Sequence, residues 1–228
     1  MQARTYILRT IFFILFAAVT VVFVNFMVDP YAITGASRVS GFNEYKIDIN
    51  NRVRLMKKYN PLASQHNALI VGNSRIEMGI SPDSQCFRDA GMTLYNLGVP
   101  GATVRQQLAY ALNVIYQQPI RTVFLSLDFT DFIFTRRHAR LEEISLLEHR
   151  GDGFRYDASG RENPDYVRTR ALDYYQALFS LDSLVSSVKT VALQDAAAPD
   201  RDDAGFNPAR DFGESVRVEG PRALFDQK

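Results

Sequence analysis

The feature that most constrains this chain is the stretch at residues 11–28, apolar throughout except for Thr20 and Asn25. A helix needs roughly 17–25 such residues to cross a bilayer, and the run lacks the polar face that a surface helix of a soluble domain carries. It reads as a membrane anchor. Arg4 and Arg9 precede it, whereas Asp29 follows at once and the next basic residue is Arg38. The positive-inside rule then places residues 1–10 in the cytoplasm and everything from residue 29 outside. A cleaved signal peptide is the alternative, but the run exceeds a typical h-region and no Ala-x-Ala site closes it. The expectation is a single-pass protein of the inner (cytoplasmic) membrane with a periplasmic or otherwise extracytoplasmic domain.

Charge narrows the partners. With 26 basic and 25 acidic residues the net charge is +1, so no field attracts nucleic acid; the membrane itself is the expected partner. The lone Cys86 excludes an internal disulfide and offers no cysteine cluster for zinc, and no metal or other cofactor is expected.

Three short apolar runs, at residues 68–71, 93–97 and 122–127, alternate with helical patterns, which is the signature of a parallel sheet with right-handed crossovers. Between them a short helix is expected from Ser81-Pro82 to Gly91, and a longer one over residues 102–117 with Val104, Leu108, Leu112 and Ile115 on one face. Residues 29–41 have the Gly, Pro and Ser content of a stalk. Residues 42–59 read as an amphipathic helix whose Arg52, Arg54, Lys57 and Lys58 form a solvated face, with contact to anionic lipid or sugar as the alternative. Residues 132–149 suggest an insertion helix. Residues 164–194 read as helical with a break at Ser180 and a core-facing apolar stripe that includes Tyr174, Leu178, Val185 and Val188. Beyond residue 195 the chain is polar, shows no strand and is expected to be poorly ordered.

The first run, Leu69-Ile70-Val71, stops at Gly72 and delivers Ser74 to the carboxyl end of a parallel strand, where open α/β sheets bind their ligands. Gly-Asn-Ser is also ordinary turn chemistry. The blocks that follow add weight. Gly72-Asn73-Ser74, then Asn96, Gly98 and Gly101, then Asp128-Phe129-Thr130-Asp131 together resemble the blocks of the SGNH (GDSL-type) hydrolase superfamily. A single anchor followed by Gly-Asn-Ser-Arg and Gly79-Ile80-Ser81-Pro82 resembles its envelope-tethered branch, associated with polysaccharide modification.

That resemblance implies a flavodoxin-like, SGNH-type parallel α/β sheet flanked by helices. It makes Ser74 the nucleophile, with its own amide and that of Gly101 as oxyanion donors, and Thr130 standing where the family has an asparagine. Asn73, Arg75, Asn96, Gly98, Asp128 and Asp131 would face substrate, although Asp128 and Asp131 are read more readily as helix caps. The family's Asp-x-x-His is missing, because Ala63, Thr135 and Leu146 stand three residues before the only histidines, His66, His138 and His149. Three strands also leave the sheet incomplete. Either the chain is the front of a longer protein, or helices of its second half cover the sheet edge. The domain organisation read is thus cytoplasmic residues 1–10, anchor 11–28, stalk and amphipathic helix 29–66, partial α/β domain 67–194 and polar tail 195–228. By resemblance, the function is an O-acyl esterase or acyltransferase acting on envelope or extracellular polysaccharide, inactive or truncated as it stands. The alternatives are a non-catalytic protein binding glycan or a polysaccharide-synthesis partner, and an anchor protein whose Gly-Asn-Ser is only a turn.

Overall fold

The computed structural model of the chain describes residues 2–129, 153–157, 159–194, 200–210, 217–218 and 220. Its first element, α1 (Gln2–Val28), is a 27-residue helix that is long and apolar enough to cross a membrane, spanning about 40 Å at 1.5 Å per residue. A helix end leaves its last carbonyls unpaired, and here the following segment meets them. Lys46 Nζ donates to Val28 O at 2.7 Å and Asn43 Nδ2 to Met27 O at 3.2 Å, a cation and an amide where the helix dipole is negative. Asp29 turns the chain with φ 47° and accepts from the amides of Ile33, Thr34 and Gly35.

Residues 29–66 therefore form a packed collar and not a stalk. Tyr31, Ile33, Ile49 and Met56 are buried in it. Its helix α2 (Val53–Tyr59) is shorter than expected, and the solvated basic face is corrected too, because Lys57 and Lys58 are both buried. Lys58 Nζ reaches Asp173 at 2.8 Å, on α6 (Tyr166–Phe179).

The sheet is as the hydrophobic runs require. Strands β1 (Ala68–Gly72), β2 (Leu94–Gly98) and β3 (Thr122–Leu125) are all parallel in the order β2-β1-β3, with Gly72 in register with Gly98 and Val71 with Leu125. Strand β1 is central and buried along its whole length. Two small helices, α3 (Ser74–Gly79) and α4 (Gln85–Asp89), lie between β1 and β2. The helix expected from Ser81 instead starts after Ser84, while Gly91 does end it with φ 67°.

Helix α5 (Val104–Ile115) begins at a capping box of Thr103 and Gln106. The face it turns inward departs from the expected Val104, Leu108, Leu112, Ile115 stripe, of which Ile115 packs partly buried against the core. Gln107, Tyr110, Ala111 and Val114 are buried instead, and Leu108 is exposed. Tyrosine and alanine outweigh the aliphatic stripe because Tyr110 packs edge-to-face against Phe154 at 4.8 Å and its hydroxyl donates to Arg54 O.

Helices α6 and α7 (Leu181–Ala192) break at Ser180, which caps α7 through Ser183 N at 3.1 Å. They pack against α1 and each other, so they do not cover the sheet. Among the described residues the edge that is covered belongs to β2, and its cover is the segment expected to be a tail. Asn96 N donates to Ala204 O at 2.7 Å and Asn207 N to Glu77 O at 3.1 Å, so residues 200–210 are a packed part of the domain. The insertion helix expected at residues 132–149 lies outside the described residues.

Candidate functional site

Ser74 occupies the first position of α3, directly past the carboxyl end of β1. Two glycines make that turn possible. A Cβ at residue 72 would fall 2.3 Å from Ile76 Cγ1, and one at residue 98 would fall 2.5 Å from the backbone nitrogen of Glu77. With side chains absent there, α3 rests on the ends of β1 and β2. Asn73 caps the helix, its Oδ1 accepting from Arg75 N at 3.0 Å. The Ser74 side chain is half-buried, and no hydrogen bond joins its hydroxyl to another described residue.

The other expected site residues divide. Gly101 is exposed in the turn after β2 with φ 66° and open space where a Cβ would be. Strand register places that turn at the same sheet edge as Ser74, since Val99 N donates to Gly72 O at 2.9 Å. Asp128 comes to the same edge after β3. It accepts from Asn73 Nδ2 and, at 3.1 Å, from Arg75 Nη1. The Asp128 carboxylate is largely covered, whereas the Arg75 side chain is 73% exposed, so the guanidinium keeps donors free for an incoming anion or hydroxyl. Thr130 and Asp131 lie outside the described residues.

Asn96 and Gly98 are corrected. Asn96 is fully buried; its Nδ2 donates to Ile76 O and Ile80 O at 2.9 and 2.8 Å, and its Oδ1 accepts from Gly98 N at 2.9 Å. Buried amides are retained when every group is paired, and this one pins the end of α3 to β2. Gly98 is the buried contact point for α3. Neither faces a substrate.

His66 is placed away from the chemistry. It precedes β1, so the strand's five residues, at about 3.3 Å each, separate it from Ser74. Its ring packs edge-on against Tyr95 and its Nε2 pairs with Ser64 Oγ at 2.9 Å, while burial lowers its pKa. His138 and His149 lie outside the described residues. Among the described residues no group of three or more His, Cys, Asp or Glu is placed to hold a metal ion.

What sequence reasoning missed is the buried charge cluster behind the site. Glu77, on α3 one turn from Ser74, takes Arg201 Nε at 2.7 Å and Nη2 at 3.1 Å, and Lys57 Nζ at 3.4 Å. Lys57 also donates to Asn96 O at 2.9 Å and to Gly205 O. All three charged side chains are at most 3% exposed. No local pattern announces this cluster, because its members lie on α2, α3 and the 200–210 segment.

Burial pushes the Lys57 pKa down to about 8, with Glu77 pulling the other way, and burial does the same to Lys46. Unfolded lysine titrates near 10.4. Between about pH 8 and 10 the unfolded chain thus binds more protons than the folded one, and stability rises with pH. The denaturant midpoint in detergent should climb over that window, and Lys57→Met should flatten the climb; a fall would contradict the assignment.

No protein-family model, curated protein or solved structure matches this chain. Class is therefore set by the fold: an α/β domain with a three-stranded parallel sheet behind an N-terminal helix able to span a membrane.

Proposed function

We propose that this chain is a membrane-anchored, SGNH-like O-acyl esterase or acyltransferase acting on envelope or extracellular polysaccharide, with Ser74 as its nucleophile. The observation that carries the reading is the convergence of Ser74, the open Gly101 turn and the Asn73–Asp128–Arg75 cluster at one carboxyl edge of a parallel sheet. A serine hydroxyl attacks acyl carbon only when a base takes its proton, and the oxyanion that forms needs aimed N–H donors. The Gly101 amide supplies one donor, and Arg75 is free to hold an anionic or hydroxylated sugar. Arg4 and Arg9 before the apolar run of α1 and Asp29 after it support an orientation with the α/β domain outside the inner membrane.

The base is not His66. Among the described residues no other group stands ready, and Asp128 is engaged by Asn73 and Arg75. That engagement favours a second reading, in which the same edge binds glycan or a synthesis partner without turnover. Activated acyl esters separate the two. The membrane-embedded chain should hydrolyse them barely above the buffer rate, and added imidazole should raise the protein-dependent rate, read above imidazole's own hydrolysis of the ester, in the parent chain but not in Ser74→Ala. A protein-dependent rate unmoved by imidazole, together with polysaccharide retention lost in Arg75→Ala, supports the binding reading and sinks the catalytic one.

A further inference from the structure

Helix α7 is built inside out. Its buried residues are Ser183, Ser186, Ser187 and Thr190, whereas Leu181, Val185 and Val188 are 73, 54 and 58% exposed. At 3.6 residues per turn these sets occupy opposite faces. In water the inner face of such a helix should be the apolar one.

The polar face is used for packing against α1 and its collar. Ser187 Oγ donates to Asn25 Oδ1 at 2.8 Å, and Asn25 Nδ2 donates to Leu178 O at 2.8 Å. Ser186 sits between the Tyr31 hydroxyl and Asp48 Oδ2, at 3.0 and 2.8 Å. Small hydroxylated residues and a buried asparagine at a close helix contact are how helices associate inside lipid, where apolar side chains gain nothing by turning inward.

Position agrees with composition. Asn25 belongs to the apolar run of α1, so the end of α6 lies beside that run. Phe179, at the α6–α7 corner, closes an apolar groove of about 400 Å³ that extends along α1 from Leu15 through Val22 to Phe26. Tyr175 stacks on Phe179 at 5.2 Å and is itself exposed, as aromatic side chains are at a membrane boundary. The charges near this face lie at its flank: Asp182 in the first turn of α7, and Lys189, which reaches back to Asp48 at 3.4 Å.

We propose that the α6–α7 hairpin is immersed in the membrane, with Phe179 and the Leu181, Val185 and Val188 face of α7 against the acyl chains of the leaflet through which the C-terminal end of α1 leaves the bilayer. This rests on α1 crossing a bilayer and is independent of the chemistry at Ser74. The domain is then held to the membrane by two elements, and its orientation is fixed.

Spin labels in the full chain test this. Exposed Cys86 is first removed as Cys86→Ser. Single labels are then placed through Phe23→Cys on α1, Leu181→Cys and Val185→Cys on the hairpin, and Val167→Cys at the far end of α6, and the chain is reconstituted in phosphatidylethanolamine and phosphatidylglycerol vesicles. Labels at 23, 181 and 185 should be several-fold more accessible to oxygen than to a water-soluble nickel chelate, and label 167 the reverse. If 23 reports lipid while 181 and 185 report water, the hairpin proposal fails and the anchor stands. If 23 itself reports water, the anchor reading fails and takes the proposal with it. If 181 and 185 are shielded from both reagents, protein covers the face and the proposal is overturned.

Discussion

Replacing Glu77 with alanine is expected to cost the folded chain about 3–5 kcal/mol, the range seen when one partner of a buried ion pair is removed. The loss has a specific origin. Lys57 and Arg201 would remain as two cations at 0 and 3% exposure with no anion between them, and a desolvated charge without a partner is among the costliest defects a core can hold. The effect should reach the site, because Glu77 is one turn into the helix that Ser74 begins. Glu77→Gln should cost less, since it keeps an acceptor for Arg201. Exchanging all three groups for apolar side chains of similar volume should come closer to neutral than any single exchange. Denaturant unfolding in detergent micelles measures each variant. A loss below about 1 kcal/mol for Glu77→Ala, the size of an exposed ion pair, would mean that the cluster does not bind α2, α3 and residues 200–210 together.

That cluster also marks the boundary of what the sequence discloses. The parallel sheet is legible because Leu69-Ile70-Val71 and its counterparts are short apolar runs, the first two ended by Gly72 and Gly98, and the central strand, buried along its whole length, reads as a continuous apolar run. Ser74 was legible at the strand's end for the same reason. Helix α3 was not, because the six residues from Ser74 to Gly79 are too few to show a period. Asn96 was misplaced among substrate contacts because a motif names a residue type and not the direction of its side chain. Residues 200–210 read as a tail because Asp200, Arg201, Asp202 and Asp203 look solvated, while Arg38, the partner of Asp200, and Glu77, the partner of Arg201, are more than a hundred residues away. The apolar stripe of α7 was visible, but periodicity gives a stripe without saying whether protein, water or lipid lies beside it. The collar after α1 is hidden in the same way, because turn residues such as Pro30, Gly35 and Ser37 are common to free stalks and packed corners.

Substituting Ser74 by alanine should remove all covalent capture at this sheet edge, the largest functional effect expected of any single change, since the adduct forms on the serine Oγ and alanine carries no nucleophilic atom. The substitution should leave stability nearly unchanged: the residue is half-buried, and the helix is capped by Asn73 rather than by the serine. The most direct measurement is to expose the membrane-reconstituted chain to a fluorophosphonate, with and without imidazole as a substitute base, and to map adducts by peptide mass spectrometry. The expected result is an adduct on Ser74, in the tryptic peptide covering residues 59–75, that grows with imidazole and is absent from Ser74→Ala. An adduct that persists undiminished in Ser74→Ala, or a failure to form one at Ser74 even with imidazole present, would contradict the assignment of Ser74 as the nucleophile.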